Sequence, residues 1–137
     1  MTMFAVSTGT LASNAAGAVV ARESLIQGQV NLCKTGLPIV PGVPGAHGYV
    51  SVGDVGASTV VTVSLRNAIP NTRYAIDHYQ TPSGAGCNNA DLWFTTNSAG
   101  NATGVFRVDL QPDTEGLAVI VINYVSDDFY QITRILV

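Results

Sequence analysis

At 137 residues the chain fits one domain, long enough to bury a real core without metal or disulfide staples. Charged residues make up 11% of it, less than half the usual share of roughly a quarter. The net charge is −3, and the six Lys plus Arg are scattered as Arg22, Lys34, Arg66, Arg73, Arg107 and Arg134, with no basic patch; this excludes the electrostatic footprint of a nucleic-acid partner and of an anionic membrane surface.

Residues 1–16 are small and polar with little periodicity and read as an N-terminal arm on a single domain spanning 17–137. The arm has no Lys or Arg ahead of its small residues and no continuous apolar run, so it makes a poor export signal as written. From Ala18 to Leu32, Ala18, Val20, Ile26, Val30 and Leu32 occupy even positions, against Glu23, Gln27, Gln29 and Asn31. This predicts a strand bent near Gly28, or two short strands, with a helix over Ala15–Gln27 as the competing reading. Residues 34–48 hold three prolines and several glycines and form neither helix nor interior strand. The apolar members of this loop, Leu37, Ile39, Val40 and Val43, imply a segment lying over its own domain or over a neighbouring subunit.

A short strand over Tyr49–Val52 and a turn at Gly53–Gly56 lead to the clearest stretch in the chain. Thr59, Val61, Val63 and Leu65 alternate with polar residues, and after Pro70-Asn71 alternation resumes through Tyr74, Ile76 and His78. The pair predicts two antiparallel strands joined by a short loop. Further strands are expected at Asp91–Thr96, at Ala102–Leu110 after a tight Asn97–Asn101 connection, and at Phe129–Val137. Leu117–Val125 is apolar on both faces and reads as a central strand or one covered by a partner. Seven or eight short strands without a convincing helix predict an all-β fold: an antiparallel β-sandwich, immunoglobulin-like or Greek key, with a small barrel second.

Chemistry is sparse. Two histidines, His47 and His78, offer neither His-x-His nor Cys-x-x-Cys spacing, so no metal or cofactor is expected. No Gly-x-Ser-x-Gly elbow marks a nucleophile, and Asp77 beside His78 points to the opposite face of its strand, so no catalytic residue is assigned. Asp109, Asp113, Glu115, Asp127 and Asp128 read as solvated turn carboxylates more readily than as a calcium site. Cys33 and Cys87 either form one disulfide in an oxidising compartment or remain two separate thiols.

The run Pro70-Asn71-Thr72-x-Tyr74, then Gly86-Cys87, then Leu92-x-Phe94-Thr95-Thr96-Asn97-x-x-Gly100-Asn101 resembles a small β-sandwich module of actinobacterial secreted proteins. That module usually follows an export signal. A charge-poor, Ser/Thr/Gly-rich sandwich with a small-residue arm is also similar to phage virion proteins, particularly capsid decoration proteins and tail modules. These resemblances imply a non-enzymatic protein of the virion, assembled in the host cytoplasm as a homo-oligomer docked on a protein lattice such as a major capsid or tail protein. Phe4, Leu11, Leu37, Ile39, Val40 and Val43 are the expected interface residues. The alternative is a secreted or cell-surface bacterial binding module stapled by Cys33 and Cys87.

Overall fold

Alternating burial defines the strands at the heart of the structure. Val61, Val63 and Leu65 turn one way, Tyr74 and Ile76 meet them from a second strand, and all five are fully buried. The computed structural model describes residues 19–27, 43–55, 58–87, 90–123, 129–132 and 135–136. The arm at 1–16, with Phe4 and Leu11, and the residues Cys33, Leu37, Ile39 and Val40 lie outside them. The described residues form nine strands and no helix: β1 Val19–Gln27, β2 His47–Val55, β3 Ser58–Arg66, β4 Arg73–Thr81, β5 Leu92–Thr95, β6 Ala102–Val108, β7 Gly116–Ile122, β8 Phe129–Ile132 and β9 Ile135–Leu136.

Every pairing is antiparallel, and the strands make two sheets that share β1. The first sheet runs β1-β2-β3-β6; the second runs β5-β4-β7-β8, with β9 following β8 along the same edge of β7. The Val19–Ser24 part of β1 runs along β2 and its last three residues pair β8, so this strand carries the chain from one sheet to the other. Val50, Val52, Val61, Val63, Leu65, Phe106 and Val108 of the first sheet face Tyr74, Ile76, Leu117, Val119 and Val121 of the second. This is the face-to-face packing of a β-sandwich. Strand β3 neighbours β6 in one sheet while β4 neighbours β7 in the other, as strands B and E, and C and F, do in immunoglobulin-like sandwiches.

Four expectations from the sequence need correction. Strands β3 and β4 are not a hairpin: they belong to opposite sheets, and residues 67–72 form an arch between them. Alternation reports that one face of each strand is buried, and both strands bury that face in the same core from opposite sides. Second, β2 is longer than expected, since Gly53, Asp54 and Val55 pair with Val60, Thr59 and Ser58 rather than turning. At its start, His47 and Gly48, expected in the loop, pair with Arg66 and Leu65.

Third, β1 turns odd positions inward, with Leu25 buried and Ala21 and Glu23 half-buried. Its register shifts between Val19 and Ala21, where Val19 opposes Gly53 and Ala21 opposes Val52. The extra residue reverses the alternation, so that Leu25 joins the core and Ile26 does not. Fourth, the last strand is split: β8 pairs Gln131 with Ile120, whereas β9 pairs Ile135 with Leu117, one residue out of step. Strand β7 settles in the middle, flanked by β4 and by β8 and β9, with all seven residues buried within this chain. Val43 packs against the chain's own core.

Because the core lies between the sheets, truncating Ile76 to Ala is expected to destabilise the protein by about 2–5 kcal/mol. Val105→Ala on the outer face, where Val105 is 56% exposed, should change stability by no more than about 0.5 kcal/mol. Urea unfolding of both variants checks this, and equal losses would contradict the assignment.

Candidate functional site

At one end of the sandwich the two sheets part around a cleft of about 510 Å³. Its floor comes from β4, where His78 and Gln80 follow Tyr74 and Ile76 on the core-facing side by strand alternation. Pairing of β4 with β5 ends at Ile76 and Leu92, which leaves the next stretch of the β4 edge without a strand partner on that side. The chain itself folds back to fill the gap. Gly84 N–H donates to Gln80 O at 2.8 Å, Gln80 N–H to Ala85 O at 2.8 Å and Cys87 N–H to His78 O at 3.1 Å. Gly86 sits at φ +105°, and a Cβ there would collide with the His78 carbonyl, so only glycine permits this approach.

Asp91 forms one wall. Its backbone N–H donates to Ile76 O at 2.8 Å, which places its carboxylate Oδ2 2.7 Å from His78 Nδ1. The opposite wall is the connection between β6 and β7; Glu115 N–H donates to Thr81 O at 2.8 Å at its end, and the Gln80 side chain holds the residues before it. Gln80 is 2% exposed, and its Oε1 accepts from Gln111 N–H at 2.8 Å and from the Thr114 hydroxyl at 2.7 Å. The amide nitrogen is thereby turned to Asp109 O at 3.2 Å and to His78 Nε2 at 3.2 Å. Since the Gln80 NH₂ group only donates, His78 Nε2 accepts and Nδ1 carries the proton given to Asp91. The network thus selects one neutral tautomer of the ring.

A histidine oriented by a carboxylate is the start of a general-base dyad, but its free nitrogen must then face a nucleophile or water. Here that nitrogen faces the Gln80 amide. Asp77 lies on the opposite face of β4, as strand alternation implied, and the partner of His78 is Asp91, 13 residues further on. Only the loop that returns the chain to the β4 edge brings it near.

Cys87, at φ +69°, is disulfide-bonded. Its sulfur lies 3.7 Å from the His78 carbonyl, a contact without a hydrogen to donate. The chain's other cysteine, Cys33, is outside the described residues. His47 is exposed, with its ring Nδ1 3.1 Å from Gly45 O. Asp109 reaches the cleft, whereas Asp113 and Glu115 are exposed on the same connection and Asp127 and Asp128 are outside the described residues. Among the described residues no three His, Cys, Asp or Glu side chains converge as metal ligands would.

A second, shallower hollow of about 340 Å³ lies beside Arg66 at the other end. The Arg66 guanidinium is committed there to Leu65 O at 2.9 Å, Ala102 O at 3.0 Å and Thr103 Oγ1 at 3.1 Å. No family model, curated protein or solved structure matches the chain.

Replacing Gln80 with Leu keeps the bulk and removes the three side-chain bonds from Gln80 to the β6–β7 connection. Leaving such buried partners unsatisfied costs about 1–3 kcal/mol per group, and a loss in at least that range is expected in urea unfolding. Gln111→Ala, which keeps the backbone N–H and trims an exposed side chain, should stay within about 0.5 kcal/mol. Similar losses in the two variants would remove the amide from its assigned role.

Proposed function

We propose that the chain is a non-enzymatic binding protein working in oxidising surroundings, as a secreted or cell-surface module. The observation that carries this reading is the disulfide at Cys87, held against the β4 backbone beside the cleft. Disulfides persist outside the reducing cytoplasm, and there they stabilise small β-domains. The cleft chemistry agrees with binding rather than turnover, because the His78 ring nitrogen that a base would use is occupied by Gln80.

The virion setting expected from the sequence is the second reading, and the outer face of the first sheet favours it. Ser51, Thr62 and Val105 stand in register across β2, β3 and β6, and in the adjoining row Tyr49 and Thr103 flank the buried Ser64. Such a face of uncharged side chains suits docking on a protein lattice, where desolvating charge would be costly. Arg22, stacked 3.6 Å from the Tyr49 ring centroid, and Arg107 border it.

Light scattering coupled to size exclusion, with and without reductant, separates the two. A monomer that loses about 2–5 kcal/mol of stability on reduction is expected for the disulfide-stapled module. A stable oligomer indifferent to reductant would overturn that reading in favour of a lattice component.

A further inference from the structure

We propose that His78 and Gln80 form a pH-operated latch on the β6–β7 connection, closed while the imidazole is neutral and released when it takes up a proton. In the closed state all four hydrogen-bonding positions of the Gln80 amide are used. Three of them hold the connection, through Asp109 O, Gln111 N–H and the Thr114 hydroxyl. The fourth is His78 Nε2, which can accept only as a neutral ring.

Protonation places an N–H on Nε2, so that two donors face each other 3.2 Å apart. Turning the Gln80 amide over would present its oxygen to the ring. It would also present its NH₂ group to Gln111 N–H and turn its oxygen towards Asp109 O, breaking the bonds that hold the connection. Withdrawing the side chain breaks them as well. Either response loosens the segment from Asp109 to Thr114 and widens the cleft.

The opposing pull comes from Asp91. Its carboxylate is 2.7 Å from Nδ1 and is stabilised when the ring becomes an imidazolium, so the released state has its own ion pair. The remaining charge facing the ring favours the same outcome. Asp109 lines the cleft, and its backbone carbonyl is the one bonded to Gln80. On β7, the residues opposite His78 and Gln80 are the uncharged Val119 and Leu117. Cys87 is in a disulfide, and Asp77 and Tyr79 occupy the other face of β4. The device is two-sided: Gln80 favours the neutral ring and Asp91 favours the charged one.

The test is NMR on the full isotope-labelled chain from about pH 8 to about pH 5, the range in which imidazoles exchange protons. It follows the His78 ring resonances, the Gln80 side-chain NH₂ and the hydrogen-exchange protection of the Gln111 amide. The expected result is a loss of Gln111 protection of roughly tenfold or more in step with the ring titration, with the Val119 amide unchanged. Asp91→Asn should move that transition to lower pH, and His78→Phe should abolish it. A ring that titrates while Gln80 and Gln111 stay unchanged overturns the latch. So does a ring that takes up no proton by about pH 5, or an undiminished transition in His78→Phe.

Discussion

Two sheets can share one core only if the chain crosses between them, and the crossings must satisfy backbone groups that no ladder reaches. Two crossings meet at one end of this sandwich, the 67–72 arch from β3 to β4 and the 96–101 arch from β5 to β6. They bond to each other. Ala68 N–H donates to Gly100 O at 3.0 Å, Asn71 N–H to Asn97 O at 3.1 Å and Asn67 N–H to Asn101 Oδ1 at 3.0 Å. Thr96, 2% exposed, accepts from Thr72 N–H at 2.9 Å and donates to Ile69 O at 2.6 Å. Gly100 is indispensable in this geometry: its φ is +79° and a Cβ would strike the Ala68 carbonyl.

The opposite end solves the same problem with a different residue. Gln80 does for the β6–β7 connection what Thr96 does for the arches: one buried polar side chain satisfies the backbone of a neighbouring segment. The difference lies in what else the side chain touches. Thr96 bonds only groups that do not titrate, whereas Gln80 bonds a histidine that itself pairs with a carboxylate. One end is therefore a fixed closure, and the other is a closure whose hydrogen bonding depends on a proton. A cleft built this way has the Gln80 amide spent on holding its own wall and orienting the His78 ring.

The strands were legible because burial of one face writes a period of two into the sequence, and Val61 through Leu65 and Phe106 through Val108 follow it. Sheet membership was not legible, because the same pattern arises in either sheet. The inward face of β1 was hidden by its bulge near Val19, which places the half-buried Glu23 opposite Val50 and Leu25 in the core. Asn97–Asn101 was read as a tight connection, yet it turns between sheets rather than within one. The stretches from Pro70 to Tyr74 and from Leu92 to Asn101 are largely the arches and the edge-on Tyr74–Phe94 ring pair they position. Those residues are explained by architecture. The His78–Asp91–Gln80 network left no such trace, because it depends on where the 84–91 segment returns to β4.

The two outer faces of the sandwich are unequal, and the inequality bears on where a partner can sit. On the second sheet, Ala75, Ile120 and Ile122 are buried on the side away from the main core, with Tyr79 and Ala90 packed against them. That face is already closed within the chain. Trp93, 44% exposed, stands on β5 at the margin with the Arg73 guanidinium 4.1 Å from its ring centroid. On the first sheet no comparable apolar cluster covers Ser51, Thr62 and Val105 among the described residues. A low-charge surface of short Ser, Thr and Val side chains gives up little side-chain entropy on contact and leaves few ions to desolvate. The broad face of the first sheet is therefore the surface with the fewest ions to desolvate, while the cleft at the sandwich end is the part that the proposed latch would reshape.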